Sequence, residues 1–364
     1  MNIHLPEGTR LPSRPPQISF AIQKERMNVM SARFENSMIT NKDELIHPIQ
    51  TDNWDWIETS WFGVTHLEPT PGRHIMIWPY IHMRMTAGVA WEGIAIWEGI
   101  KETQAAAEYI DFRMWAPIPK GQDFDEKGIT FINGLGVRAI IPGEKYQIDF
   151  VDKARDTEVH FTWTAVSQRF PWITDNHFDQ VGRVQGTLKL RAEKFDFDTY
   201  NIRDRGWAPR NDAPVVKGPS FDYIAGVLDE KNAFGIFGFD QKTLQLGSTA
   251  KPTFSAQVED AEFLPTSWIL KDGVAKEVRR FDLEVTRDTN KWRPVHMDAV
   301  VTDEDNDKHE VHIDIVGYLP ILFPYNNITA SSTARGTWDG RPYIGKWDES
   351  LDNDVLNFLI KGKN

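Results

Sequence analysis

The chain has 364 residues and no cysteine, and its 41 Lys and Arg against 53 Asp and Glu give a formal net charge of −12. Without cysteine there are no disulfides, no thiolate catalysis and no cysteine-type zinc site. The acidic balance argues against a nucleic-acid or anionic-membrane partner, because such binding depends on neutralising phosphates.

The length leaves room for about two domains. At the N-terminus, Pro6, Pro12, Pro15 and Pro16 stand where a signal peptide needs an apolar run. No stretch approaches the length needed to span a bilayer. These features predict a cytoplasmic protein without stable membrane insertion. Residues 1–17 read as an extended arm, and Ile18 to Arg33 is rich enough in Met, Ala, Gln and Lys for a helix.

From Asn53 the pattern turns to strands. NWDWIETSW holds Trp54, Trp56 and Trp61 with Glu58; if extended, Trp54, Trp56, Glu58 and Ser60 share one face. An acid on an indole-lined wall is a cavity motif, and a structural edge is the alternative. The run Ile75 to Met85 carries Trp78, Tyr80 and His82. In AWEGIAIWEGI the tripeptide Trp-Glu-Gly recurs six residues apart, so both copies point the same way on a strand. Trp91, Gly93, Ala95 and Trp97 take one face, and Glu92, Ile94, Ile96 and Glu98 the other. Buried and unpaired, these carboxyls would have raised pKa values, which suits a proton donor. On a half-solvated face they would simply meet water.

Further on, Val159 to Val166 alternates cleanly, and a domain boundary is expected near residue 175. His177 and Asp179, two apart, share a strand face; His177 is a candidate proton shuttle. Short strands with turn signals fill the second half. The expected division is an arm and helix at 1–45, a first β domain at 46–175 and a second at 176–364. The tail from Leu351 to Ile360 reads as a short helix.

Several motifs fail on their mechanics. Gly134, Gly136 and Ala139 fit a dinucleotide-binding pattern, but Pro142-Gly143 stops the helix it requires. His309 and His312 point to opposite faces of a strand and cannot easily share a metal. Asp303, Asp305 and Asp307 mimic a calcium loop that lacks its glycine and bidentate glutamate, which favours a solvated hairpin tip.

The stretch Gln180 to Arg210 organises the chain. Two alternating strands meet at Arg191–Lys194, and the second ends on Arg203-Asp204-Arg205-Gly206-Trp207-Ala208-Pro209-Arg210. Three guanidinium groups, a carboxylate and an indole could form a rigid cluster. Asp204 is then either a cavity-mouth carboxylate placed by Arg203 and Arg205, or a salt-bridge latch between domains with Trp207 as its lid.

Arg183, Val184, Gly186, Arg203, Asp204, Trp207 and Arg210 resemble the signature carried by the second domain of the hydroxyneurosporene synthase (carotenoid 1,2-hydratase) family. Gly206 replaces that family's usual Ser, and Ala208-Pro209 also departs from the pattern. The resemblance reaches upstream to Asn53–Gly63 and downstream to Trp338–Gly345. It implies an all-β protein of two consecutive calycin- or lipocalin-like antiparallel barrels or sandwiches with a short N-terminal helical arm. It also implies cofactor-independent chemistry on a lipophilic substrate, by a hydratase, dehydratase, isomerase or cyclase acting on a terpenoid or aromatic compound. Glu58, Glu92, Glu98, His82, His177 and Asp204 are the acid–base candidates. Trp54, Trp56, Trp61, Trp78, Tyr80, Trp91, Arg205 and Trp207 are the candidate substrate wall. The alternatives are a non-catalytic carrier of a hydrophobic molecule, with no raised-pKa acid in its cavity, and barrels filled solid by side chains. A homodimer is left open.

Overall fold

The computed structural model describes residues 34, 37–49, 56–172, 175–209, 220–240, 267–288, 293–323 and 327–352. The helix expected at 18–33 and Trp54 lie outside them. Of the expected tail helix, Leu351 and Asp352 end a strand instead, and the rest lies outside the described residues.

The protein is all-β, with two consecutive calycin-like units. The first is an eleven-stranded antiparallel sheet. Its strands are β1 (Trp56–Phe62), β2 (Val64–Leu67), β3 (Ile75–Arg84), β4 (Val89–Glu98), β5 (Tyr109–Pro117), β6 (Ile129–Thr130), β7 (Gly136–Ile141), β8 (Lys145–Asp152), β9 (Thr157–Pro171), β10 (His177–Leu190) and β11 (Glu193–Pro209). They lie in the order β5, β4, β3, β1, β11, β10, β9, β8, β7, β6, with β2 paired to β3. Side chains tie strand β5 to the β8–β9 turn. Tyr109 donates to Asp152 at 2.9 Å, and Arg155 bonds the Asp111 carboxylate.

The second unit is a closed eight-stranded barrel of β12 (Ser220–Asp229), β13 (Asn232–Asp240), β14 (Trp268–Lys271), β15 (Val274–Arg287), β16 (Pro294–Asp303), β17 (Lys308–Phe323), β18 (Asn327–Trp338) and β19 (Arg341–Asp352). Local sequence sets its tight hairpins. Asp272-Gly273 and Asp339-Gly340 both take positive φ at both positions, which is the two-residue turn that matches strand twist.

The sequence boundary near residue 175 falls between β9 and β10, which pair with each other. The signature strands β10 and β11 therefore belong to the first sheet, and β11 closes it by pairing with β1. As a division of the chain, a boundary after Pro209 is the proposal that this pairing favours.

Strand β4 shows how the two units join. Ile94 and Ile96 face the inner core of the first sheet with Ile81, Phe161 and Trp163. Trp91, Ala95 and Trp97 face outward and pack with Trp61, Trp78, Leu319 and Ile321, the last two from β17 of the barrel. The chain after β4 also bonds β17 directly, Lys101 N to Tyr318 O at 2.8 Å and Tyr318 N to Gly99 O at 3.0 Å. A strand buried on both faces needs apolar residues at successive positions, which is what β4 has. No helix among the described residues is long and apolar enough to cross a membrane.

Candidate functional site between the two units

Strand alternation divides the Arg-Asp-Arg segment. Neighbouring residues on a strand point to opposite faces, so Arg203 and Arg205 enter the first sheet while Asp204 turns toward the barrel. Arg203 and Arg205 therefore do not cluster with Asp204, and Arg210, the fourth member expected, lies outside the described residues.

On the inner face, Arg203 is fully buried and holds Glu44 through two bonds of 2.9 and 2.7 Å. Its guanidinium also lies over the Tyr146 and Trp163 rings, at 4.7 and 4.9 Å. Glu44 belongs to a short 3-10 turn, Asn41–Glu44, capped by Thr40. Burial alone would raise its pKa, but Arg203 and Arg169 bring it down to about 2.

Arg205 bonds the Glu58 carboxylate, which also accepts from Trp56 Nε1 at 3.2 Å and from the His47 backbone N–H at 3.1 Å. The His47 ring contacts Glu58 at 3.2 Å and stacks on Trp207 at 4.4 Å. Burial of Glu58 is outweighed by Arg205 and His47, so its pKa is lowered. Glu58, expected as an acid on an indole-lined wall, is thus a buried carboxylate paired with Arg205. Trp56, Arg205 and Trp207 are its supports.

Glu92 also faces inward and is fully buried, with the Asn133 side chain as a weak polar partner. Burial, helped by the charge of Asp111 and opposed by Arg113, pushes it up to about 8. Glu98 lies at the rim, paired with Arg73 at 2.8 Å.

The outer face carries a different set. Register places Tyr80, Trp61, Asp204, Asp179 and Phe170 in one row across β3, β1, β11, β10 and β9. The next row holds Trp91, His82, Thr59, Gly206 and His177. Gly206 makes room for the imidazole. A Cβ there would lie 2.9 Å from Thr59 Oγ1 and 3.0 Å from His177 Nδ1. His177 stacks on Trp172 at 3.6 Å, and its Nε2 is 3.6 Å from Asp204.

Asp179 is 1% exposed and takes two indole donors, Trp172 Nε1 at 3.2 Å and Trp268 Nε1 at 2.9 Å. Burial comes first in lifting its pKa, the Asp204 carboxylate adds to the lift, and the indole donors oppose it. The result is about 7. Burial and Asp179 likewise raise the Tyr223 hydroxyl.

From the barrel side comes Lys346, 2% exposed, its Nζ 2.7 Å from Asp348. That ammonium lies 3.8 Å from the Trp61 ring centroid and 4.1 Å from that of Tyr223. Asp348 in turn accepts from Ser331. Trp78, Tyr80, Trp91 and Phe112 form a continuous aromatic wall beside it, with centroids 5.0–6.5 Å apart.

Of the sequence candidates, His82, His177, Asp204, Trp61, Trp78, Tyr80 and Trp91 lie on this face, whereas Glu58, Glu92, Trp56, Arg205 and Trp207 lie on the inner one. Sequence reasoning missed Asp179, although its spacing from His177 was the signal. It also missed Trp172, Tyr223, Trp268, Lys346 and Asp348, whose contacts no local pattern announces. At the calcium-like hairpin, Lys276 places its ammonium 2.8 Å from both Asp303 and Asp305, so a side chain occupies the centre of the acidic tip. Among the described residues no group of three or more His, Asp or Glu has metal-binding geometry.

The fold and this buried junction define a two-unit, calycin-like all-β protein with a polar site where its units meet. The family model described as "Domain of unknown function (DUF7064)" matches residues 40–353, and the chain belongs to that family. No curated protein matches it in sequence. Among solved structures, kievitone hydratase from Nectria haematococca is similar, with 9% identity and a TM-score of 0.51 over 86% of this chain and 94% of that one. CghA is similar with 7% identity and a TM-score of 0.50, over 84% and 93%. At such identities the likeness is one of fold, and the resemblance to the carotenoid-hydratase type stands at that level.

Proposed function

We propose that the protein is a lyase-type enzyme that moves protons on a lipophilic small molecule held between its two units. The observation that carries this reading is the junction itself. Asp179, Asp204, His177, Tyr223, Lys346 and Asp348 meet in one place, all but Asp204 buried, beside an indole wall. Ionisable groups are seldom buried together without a functional reason. A hydratase on a similar fold supports the reaction class.

In this reading Asp179 is the acid. A carboxyl raised to about 7 is protonated in a large fraction of molecules at neutral pH and gives that proton up readily. The His177–Asp204 pair is the complementary base. Trp61, Trp78, Tyr80 and Trp91 exclude water and stabilise positive charge that develops on the substrate. The carrier alternative called for a site without a raised-pKa acid; Asp179 speaks against it.

The test is turnover of a panel of alkenes, allylic alcohols and enones without added cofactor, in wild type, Asp179→Asn, His177→Ala and Glu92→Gln. Loss in Asp179→Asn with ligand binding retained supports the assignment. Loss in Glu92→Gln alone would move the chemistry to the interior of the first sheet. Binding without turnover in every protein would leave the carrier.

A further inference from the structure

The junction also contains polar atoms that the acid–base scheme does not use. Thr333 Oγ1 and Trp61 Nε1 are buried and have no hydrogen-bond partner among the described residues. Both border Lys346. Thr333 is its register partner on β18, and the Trp61 ring lies 3.8 Å from its ammonium. Thr333 belongs to the barrel surface that meets the first sheet. Its hydroxyl lies against Gly317, a position that the Gly99 carbonyl of the first unit also approaches.

A buried donor without an acceptor costs about 1–3 kcal/mol, and native proteins seldom retain one without a reason. Two such groups, on residues that flank one buried ammonium, leave hydrogen-bonding capacity that an acceptor oxygen would satisfy. The local charge restricts what that oxygen belongs to. Asp348, Asp179 and Asp204 place three carboxyl groups around one ammonium and one imidazole, so a carboxylate ligand would add like charge to the cluster. A neutral carbonyl oxygen would take the donors without that repulsion.

We propose that Lys346, Thr333 and Trp61 hold the carbonyl oxygen of the substrate, and that the substrate is an α,β-unsaturated carbonyl compound with a lipophilic body. This rests on the lyase reading and names its substrate class. Water bonds through its oxygen to the β-carbon and loses a proton to the His177–Asp204 pair. The π electrons move to the carbonyl oxygen, where the ammonium and the two donors stabilise the enolate. Asp179 then delivers a proton to the α-carbon. One water is added across the double bond, and return of a proton from His177 to Asp179 restores the enzyme.

The experiment uses two ladders of matched ketones, which avoid the ready imine formation of aldehydes. One is β-ionone, its alcohol and the corresponding hydrocarbon. The other is benzylideneacetone, its alcohol, β-methylstyrene and cinnamate. Affinities are measured by equilibrium dialysis at neutral pH, and products by mass spectrometry. The enone should bind at least about tenfold more tightly than the hydrocarbon of its ladder, the effect of one charge-assisted hydrogen bond. Cinnamate should not exceed benzylideneacetone. Thr333→Val, which leaves the Lys346–Asp348 pair intact, should cut the enone preference severalfold. Lys346→Met combined with Asp348→Asn, which removes the pair without stranding a charge, should abolish it.

Equal affinity for enone and hydrocarbon would overturn the proposal and leave an ordered water as the occupant of these donors. A preference that survives both variants, or no binding in either ladder, would also overturn it. Enone preference without any product would sustain this subsite and sink the lyase reading. Hydration of the hydrocarbons without enone preference would do the reverse.

Discussion

The two faces of the first sheet make a controlled comparison, because adjacent residues of β11 serve both. Inside, Glu44 and Glu58 are buried against guanidinium groups, and their pKa values fall. Outside, Asp179 is buried just as deeply but against neutral indole N–H groups and beside another carboxyl, and its pKa climbs to about 7. Burial is common to all three. The charge of the partner decides whether a carboxyl becomes a fixed anion that holds the chain or a proton reservoir. Glu92, buried without a cationic contact to its oxygens, follows the second pattern from within the interior.

The strongest way to break this comparison is to remove an inner partner. Arg203→Met should cost about 3 kcal/mol in urea denaturation, because Glu44 loses its bidentate partner and keeps only Arg169 in the interior. The double change with Glu44→Leu should recover most of that loss. If Arg203→Met alone is neutral, the inner pair does not hold the fold.

Next in size is the loss of the outer acid. Asp179→Asn should lower kcat by about 10²–10⁴, the usual contribution of a general acid, with KM far less affected. An equal loss in Glu58→Gln would erase the distinction between the faces.

The pH dependence of stability should show both patterns in one protein. Glu44 has a folded pKa below its unfolded value of 4.5, so its contribution grows as pH rises from about 2 and is complete above the unfolded value. Asp179 and Glu92 have folded values of about 7 and 8, above their model values of 3.8 and 4.5. Between those limits the native state binds protons that the unfolded chain has released, so their contribution is lost as pH rises toward 8. Stability should therefore peak in mildly acidic buffer and fall by a few kcal/mol, in order of magnitude, toward pH about 8. Asp179→Asn and Glu92→Gln should each flatten the alkaline side. A profile flat in wild type from pH about 5 to 8 would contradict the raised values.

A smaller effect is expected at the glycine beneath His177. Gly206→Ser installs the residue that the carotenoid-hydratase signature usually has. Its Cβ would press on Thr59 and the imidazole. It should cost about 1–2 kcal/mol by overpacking and shift the imidazole NMR resonances of His177. Unchanged resonances would mean that the ring does not depend on this gap. The least effect belongs to the exposed Arg183–Asp198 pair on β10 and β11; Arg183→Ala should leave the denaturation midpoint where it is.

Much of the architecture was legible because strand alternation and turn chemistry are local. The Trp-Glu-Gly repeat assigned the two faces of β4 correctly, and Asp-Gly pairs mark two of the barrel hairpins. The candidate site was legible only in part, for a physical reason. His177 and Asp179 are two residues apart, but what raises the Asp179 pKa is burial under the barrel and the Asp204 carboxylate on the next strand, and Trp268, which donates to it and opposes the rise, stands 89 positions away. The arginines flanking Asp204 in sequence misled for a related reason. Proximity along a strand is separation across a sheet, so Arg203 finds Glu44, 159 positions distant, and Asp204 finds His177 on the next strand.

The pairing order has a consequence for synthesis on the ribosome. Strands β1, β3, β4 and β5 form one flank of the first sheet, β6 to β9 the other, and only β10 and β11 bridge them. A nascent chain that ends near residue 175 therefore carries two half-sheets with no strand ladder between them, and Glu44 has Arg169 but still lacks Arg203. Completion of the first unit must be a late event in translation, gated by the emergence of β11. Fragments cut there should be captured by chaperones or degraded, whereas those extended through Pro209 carry every strand needed to join the flanks.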